Sequence, residues 1–293
     1  MRALVLSGGG ARGAYQIGAL RRLLVEERRD YEILAGVSVG ALNAGFLAHA
    51  PAGKLADRFV ELDRLWAGLD TPRIYKKRPG GEAAGLWALS IFDSSPLVDL
   101  VLGVCNAEAI RSSGRKLRVG AVNLETGEYR SATETDPRIA WWILASSSFP
   151  VFFLPIKIDG QLWTDGGVRN VTPIAEAIRL GADRIDVVIC SNPDVGGSWS
   201  PEGECAIPGI LLRCLGLLAD EVARTDLQAV GLKNDLAKLC DRYKSIRFRV
   251  IQPSGSMPDS LDFSAGPRQT MIDMGYEDAR TLSARRNDGD PNL

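Results

Sequence analysis

The chain has 293 residues, with 35 Lys and Arg against 36 Asp and Glu, a net charge of −1 and 45% hydrophobic residues. That near-neutral balance argues against nucleic acid as the main partner, because binding a phosphate backbone needs a clear basic surplus and the only basic run, Lys76-Lys77-Arg78, is short. Five scattered cysteines (Cys105, Cys190, Cys205, Cys214, Cys240), no CxxC pair and a single histidine, His49, read as reduced structural thiols and offer no metal site.

In chain order, residues 2–7 read as a strand buried on both faces of a parallel sheet, too short in their apolar part for a signal-peptide core of about 7 to 15 residues. A cytoplasmic protein is therefore expected. After Gly8-Gly9-Gly10-Ala11-Arg12-Gly13 the residues Ala14, Ile17, Leu20 and Leu24 recur at helical spacing. Residues 33–53 carry no Asp, Glu, Lys or Arg and would be long enough to span a bilayer at about 20 residues. Four glycines, Ser38, Asn43, His49 and Pro51 make them read instead as a buried strand (33–37), a tight turn and a helix (39–48). This β-loop-α-β-turn-α opening predicts an α/β domain.

Further strands are predicted at 117–122, 185–190 and 246–251, with a hairpin at 156–163 around Asp159-Gly160. Thr172-Pro173 opens a helix ending at Gly181, and 215–239 reads as an amphipathic helical region. Segment 71–102, punctuated by Pro72, Pro79, Gly80, Gly81 and Pro96, reads equally well as a cap over a site and as a packed surface insertion. With no internal repeat or low-complexity linker, residues 1–282 form one domain and the polar tail 283–293 is expected to be loose.

Three motifs carry chemistry. Gly8 to Gly13 satisfies GxGxxG between a strand and a helix, where glycines bring backbone N-H groups close to a negative charge, either a pyrophosphate or an oxyanion. A dinucleotide site also needs an acid about 20 residues on, at the carboxyl end of the second strand; Glu32 has the spacing but lies at that strand's start. Gly36-Val37-Ser38-Val39-Gly40 is a GxSxG at a strand-to-helix junction, the pattern of a nucleophile elbow. A serine needs a base, and His49 lies eleven residues on, about 16 Å away along a shared helix, so it cannot serve Ser38. Asp165-Gly166-Gly167 follows a strand; a free Asp, with a pKa of about 3.9, is a weak base that burial would strengthen. A Ser-Asp pair suffices where an oxyanion site carries much of the load, each donor contributing roughly 2.7 to 4 kcal/mol.

Together, and in this order, these three motifs resemble the patatin-like phospholipase family. The resemblance extends to Ala145-Ser146-Ser147-Ser148-Phe149-Pro150 and to Asn170, Pro173 and Leu180-Gly181-Ala182, and covers roughly residues 2–190. Beyond it a helix with Glu221, Arg224 and Asp226 is only suggestive. The resemblance implies a three-layer α/β/α fold with a mostly parallel central sheet. It also implies Ser38 as nucleophile, Asp165 as its base and Gly8, Gly9 and Gly10 as the oxyanion hole, with Arg12, Gly13, Gly36, Gly40, Gly166 and Gly167 supporting the motifs. Arg12 would fix the loop or face a lipid phosphate. The implied activity is hydrolysis of fatty acyl esters of phospholipids, lysophospholipids or neutral glycerides, without metal or organic cofactor and with at most peripheral membrane contact. Two departures stand out: Asn170 and Pro173 are separated by Val171-Thr172 where the family often pairs them, and 71–102 matches nothing usable. Candidates for an acyl-chain lining or for interface contact are Leu86, Trp87, Leu89, Ile91, Phe92, Trp141, Trp142 and Phe152, most of which read equally as core. The competing readings are a nucleotide-binding protein using the loop at 8–13 and a catalytically silent lipid binder of the same fold.

Overall fold

A computed structural model describes residues 1–78, 88–191 and 246–287, together with 210, 213–218, 220–222, 224–225 and 228. The strands among them are β1 (Arg2–Leu6), β2 (Ile33–Gly36), β3 (Lys76–Lys77), β4 (Phe92–Asp93), β5 (Lys116–Asn123), β6 (Tyr129–Thr133), β7 (Ile156–Ile158), β8 (Gln161–Asp165), β9 (Arg184–Val188) and β10 (Arg247–Ile251). β3 and β4 form a small antiparallel ribbon, and the rest make one sheet in the order β10-β9-β1-β2-β5-β8-β7, with β6 also paired to β5. The five strands from β10 to β5 run parallel, whereas β6, β7 and β8 are antiparallel additions.

Successive side chains of a strand point to opposite faces, and β1 shows what that does here. Leu4 and Leu6 enter a large core shared with α1 (Gly13–Leu20) and α2 (Val39–Leu47), whereas Ala3 and Val5 enter a second core with Ile174 and Ala177. Both faces are covered, so apolar runs rather than alternation mark the parallel strands. Further helices are α3 (Leu55–Ala67), α4 (Thr71–Ile74), α5 (Ser95–Val104), α6 (Ala107–Ser112), α7 (Ile139–Ser146), α8 (Ile174–Arg179) and α9 (Ala265–Asn287). The expected mixed α/β architecture with a mostly parallel sheet is what the chain adopts.

Local differences have local causes. Asp159 and Gly160 both take positive φ, 53° and 82°, which is the twist that a two-residue hairpin between β7 and β8 requires. α8 starts at Ile174, just past the Thr172-Pro173 start signal, and ends before Gly181 at φ 87°. α9 continues to Asn287, five residues into the tail expected to be loose, while 288–293 lie outside the described residues, as do 79–87 and much of 215–239. The uncharged stretch from residue 33 resolves into β2 and the nine-residue α2. No helix among the described residues is long and apolar enough to cross a membrane.

Candidate active site

Strand register brings the three motifs to one level. Leu6 of β1 pairs with Gly36 of β2, and Gly36 with Val119 of β5. Two residues further along each strand stand Gly8, Ser38 and Ala121, and Ala121 pairs with Asp165 of β8. Thus residues separated by more than a hundred positions meet at the carboxyl edge of the parallel strands, where open α/β sheets bind ligands.

At that edge the chain turns sharply from β2 into α2. Ser38 is held at φ 56°, ψ −128°, a left-handed conformation that costs a non-glycine residue about 1 to 3 kcal/mol. The glycines on either side make the turn possible: a Cβ on Gly36 would stand 2.2 Å from Gly40 O, and one on Gly40 would stand 2.2 Å from Leu6 O. The end of α7 clamps the turn. Ser146 Oγ accepts the Ser38 N-H at 2.9 Å, Ser147 Oγ donates to Ser38 O at 3.1 Å, and Ser148 O accepts the Asp165 N-H at 3.1 Å and the Thr164 hydroxyl at 2.7 Å. Three consecutive serines in a segment quoted only for its resemblance therefore tie Ser38 and Asp165 to one helix end.

Asp165 is 2% exposed. Its Oδ1 accepts the Gly167 N-H at 2.7 Å, and its Oδ2 is buried with no hydrogen bond of good geometry. Loss of water pushes its carboxyl up to about 7, against the opposing pull of the Ser38 side chain and the Gly167 N-H. A buried carboxylate oxygen with no hydrogen bond of good geometry thus stands beside the Ser38 side chain.

The glycine loop needs one correction. The Gly8 N-H donates to Val171 O at 3.1 Å, because the chain after Asp165-Gly166-Gly167 folds back along it, so Gly8 has no donor left for an oxyanion. Among the described residues, the N-H groups of Gly9 and Gly10 carry no hydrogen bond. Behind them runs a buried chain that sequence reasoning did not find. Trp66 Nε1 donates to Asn43 Oδ1 at 2.8 Å, Asn43 Nδ2 to Gln16 Oε1 at 2.8 Å, and Gln16 Nε2 to Ser7 O at 2.8 Å and the Cys190 thiol sulfur at 3.1 Å. One polar residue inside each of the apolar helices α1 and α2, Gln16 and Asn43, was the available signal. Arg12 fixes the loop, donating through Nε to Pro258 O at 2.9 Å, and it also lines the cavity.

Two other residues are settled by their bonds. His49 Nδ1 lies on Gly45 O and Phe46 O, and its Nε2 accepts the Asn106 N-H at 2.9 Å, so both ring nitrogens are spent in the wall. Burial, then Arg58, lowers its pKa and keeps the ring neutral. Glu32 Oε2 accepts the Arg2 N-H at 2.7 Å at the opposite end of the sheet from the glycine loop, and a Cβ on Gly10 would meet Ser260 O at 2.2 Å. Neither arrangement suits a dinucleotide.

Ser38, Asp165, Gly9 and Gly10 open into a cavity of about 270 Å³. Its walls are apolar: Leu42 and Phe46 from α2, Leu62, Leu65 and Trp66 from α3, Leu97 and Val101 from α5, Ile143 from α7, with Phe149, Phe153, Leu261 and Phe263. None of the six described lining candidates contributes. Ile91, Phe92, Trp142 and Phe152 are core residues, Leu89 and Trp141 are exposed, and Leu86 and Trp87 lie outside the described residues. Ile74, Leu97, Leu100, Val101 and Val104 make part of segment 71–102 and its extension a wall of the cavity.

The chain is thus a mixed α/β protein with a mostly parallel sheet, in which a strained serine at a strand-to-helix turn stands level with a buried carboxyl and a glycine loop at the carboxyl edge. A family model described as patatin-like phospholipase matches residues 4–178, and the chain belongs to that family. It is 31% identical over 204 residues to an NTE family protein of Mycobacterium tuberculosis, covering 68% of this chain and 52% of that protein. It is 27% identical over 194 residues to a lysophospholipase NTE1 of Chaetomium globosum, covering 63% of this chain and 12% of that protein. The chain thus spans about half the length of the first relative. Among solved structures, VipD from Legionella pneumophila superposes with a TM-score of 0.49 at 15% identity, over 97% of this chain and 67% of that one.

Proposed function

We propose that the chain is a serine acyl-ester hydrolase that cleaves fatty acyl esters of phospholipids or lysophospholipids. The observation that carries the reading is the strained Ser38 beside a buried Asp165 with a pKa of about 7, at the foot of an apolar cavity. A base with a pKa near the working pH combines availability with proton affinity. Ser38 Oγ attacks the ester carbonyl carbon while its proton passes to Asp165 Oδ2. The carbonyl oxygen becomes an oxyanion facing the Gly9 and Gly10 N-H groups and the positive end of the helix turn. Collapse expels the alcohol, which takes the proton from Asp165. Water then attacks the acyl-enzyme, Asp165 accepts its proton, and the second collapse returns that proton to Ser38 Oγ and releases the fatty acid.

The apolar walls favour an acyl chain, and Arg12 makes no ion pair among the described residues, which favours an anionic head group over a neutral one. The test is covalent labelling by a fluorophosphonate mapped by mass spectrometry, together with hydrolysis of phospholipids, lysophospholipids and neutral esters. Labelling at Ser38 with phospholipid cleavage is expected. A folded protein left unlabelled at Ser38 in the presence of lipid vesicles, yet carrying bound lipid, would replace this reading with that of a silent lipid binder.

The buried amide chain makes a separate prediction. Gln16 acts as a positioning residue, since its Nε2 anchors Ser7 O next to the donors of the glycine loop. Gln16→Met keeps the volume and removes the anchor, and kcat on a short-chain ester is expected to fall about tenfold, the equivalent of one lost hydrogen bond at about 1.4 kcal/mol. KM should change less than twofold, because the acyl walls are untouched. A rise in KM at constant kcat would show that Gln16 merely supports the cavity.

A further inference from the structure

One wall of the cavity is a face of α2. Ser38, Leu42, Phe46 and His49 all line it, at steps of four, four and three residues, which is one face of the helix followed from the nucleophile to just past its last turn. Eleven residues at about 1.5 Å each put roughly 16 Å between Ser38 and His49. Val104 and Cys105 also line the cavity, and the Asn106 N-H donated to His49 Nε2 at 2.9 Å ties this link between α5 and α6 to the end of that face of α2. The polar group along the way, Asn43, has its oxygen bound by Trp66 and donates to Gln16, so it leaves the wall without an acceptor seeking a partner.

We infer that the cavity measures a single saturated acyl chain of about twelve carbons, with Val104 and Cys105 at its limit. The inference rests on the acyl-ester reading above and adds the chain length. An extended chain advances about 1.25 Å per carbon, from C-C bonds of about 1.5 Å at tetrahedral angles, so roughly 16 Å accommodates a dozen carbons. Each methylene that enters an apolar site multiplies affinity about three- to fourfold, and a methylene beyond the last wall residue adds nothing.

The experiment measures the affinity of saturated fatty acids of 6 to 18 carbons for the wild-type protein by titration calorimetry, below their micelle concentrations, with Ser38 labelling run in parallel. Affinity is expected to climb about threefold per carbon to about twelve and then level off. Cys105→Trp should bring the break to fewer carbons, weakening the 12-carbon acid at least tenfold while leaving the 6-carbon acid within twofold. Val104→Ala, a milder change, should move the break to longer chains. Affinity that rises steadily through 18 carbons, or is independent of length, overturns the inference. So does a Cys105→Trp protein that binds 6 and 12 carbons equally less well. Failure of the hydrolase reading would show differently, as an unlabelled Ser38 in a protein whose fatty-acid affinities still break at about twelve.

Discussion

Ser38→Ala is expected to lower acyl-ester turnover at least ~10⁴-fold while leaving KM within a few fold of wild type. Removing the nucleophile of a comparable serine hydrolase costs about that much or more, and what survives comes from binding and the oxyanion donors. Here those survivors, the Gly9 and Gly10 N-H groups and the cavity, do not depend on the hydroxyl. No neighbour can take over. The Ser146 and Ser147 side chains are spent on the Ser38 backbone, and burial pushes the Cys190 thiol up to about 12. Ser38→Gly should be equally inactive but melt higher than Ser38→Ala, since glycine adopts φ 56° freely and alanine does not. Steady-state kinetics and thermal melts on the three proteins check both halves. Residual activity within a hundredfold of wild type would remove Ser38 from the chemistry.

Asp165→Asn should abolish activity and raise stability together. For the wild type, kcat/KM should increase with pH through about 7 and level off above it, as the carboxylate becomes available as base. Stability runs the other way. The folded pKa lies above the unfolded value of 3.8, so the native state binds the proton more tightly, and stability falls as pH rises from about 4 to about 7. Across that window the cost approaches about 4 kcal/mol at 1.36 kcal/mol per unit. The asparagine is neutral at every pH, and its Oδ1 can still accept the Gly167 N-H. Its melting temperature should therefore exceed that of wild type by several degrees at pH 8, at roughly 2 to 4 °C per kcal/mol, with the gap closing near pH 4. An equal gap at both pH values would mean that Asp165 is not a desolvated acid in the folded protein.

The parts of the site most legible in the sequence are those that sterics alone impose. A serine flanked by glycines at the end of an apolar run points to a tight strand-to-helix turn, and Gly36 and Gly40 have no room for a Cβ. Parallel strands such as β1, β2 and β9 announce themselves as short apolar runs because both faces are covered. What could not be read depends on register. That Asp165 stands level with Ser38 follows from pairings across three strands, and that the Gly8 amide is spent depends on Val171, far along the chain. The cavity lining could not be told from core in the sequence, because aromatic residues such as Trp142 and Phe152 look the same in either place. α3, which supplies Leu62 and Trp66, did carry a readable pattern, with Leu55, Phe59, Leu62 and Trp66 buried along one face. α9 carried little: among its described side chains only a few, Met271, Ile272 and Ala279 among them, are buried. It is held by close backbone contact, a Cβ on Gly18 standing 1.9 Å from Ile272 O and one on Gly275 standing 2.0 Å from Tyr15 O.

The strand ends carry Ser38 and Asp165, yet the loop between β10 and α9 completes what surrounds them. Ser260 O accepts the Ala11 N-H at 2.7 Å, Pro258 O accepts from Arg12, and Leu261 and Phe263 supply wall. These residues follow Asp165 by more than ninety positions. Contacts of such sequence separation form slowly, and domains emerge from synthesis amino end first. A growing chain accordingly possesses its elbow, its carboxylate and its glycines well before the loop that braces them. The glycine loop would then be braced, and the cavity closed on that side, only after synthesis has passed residue 263.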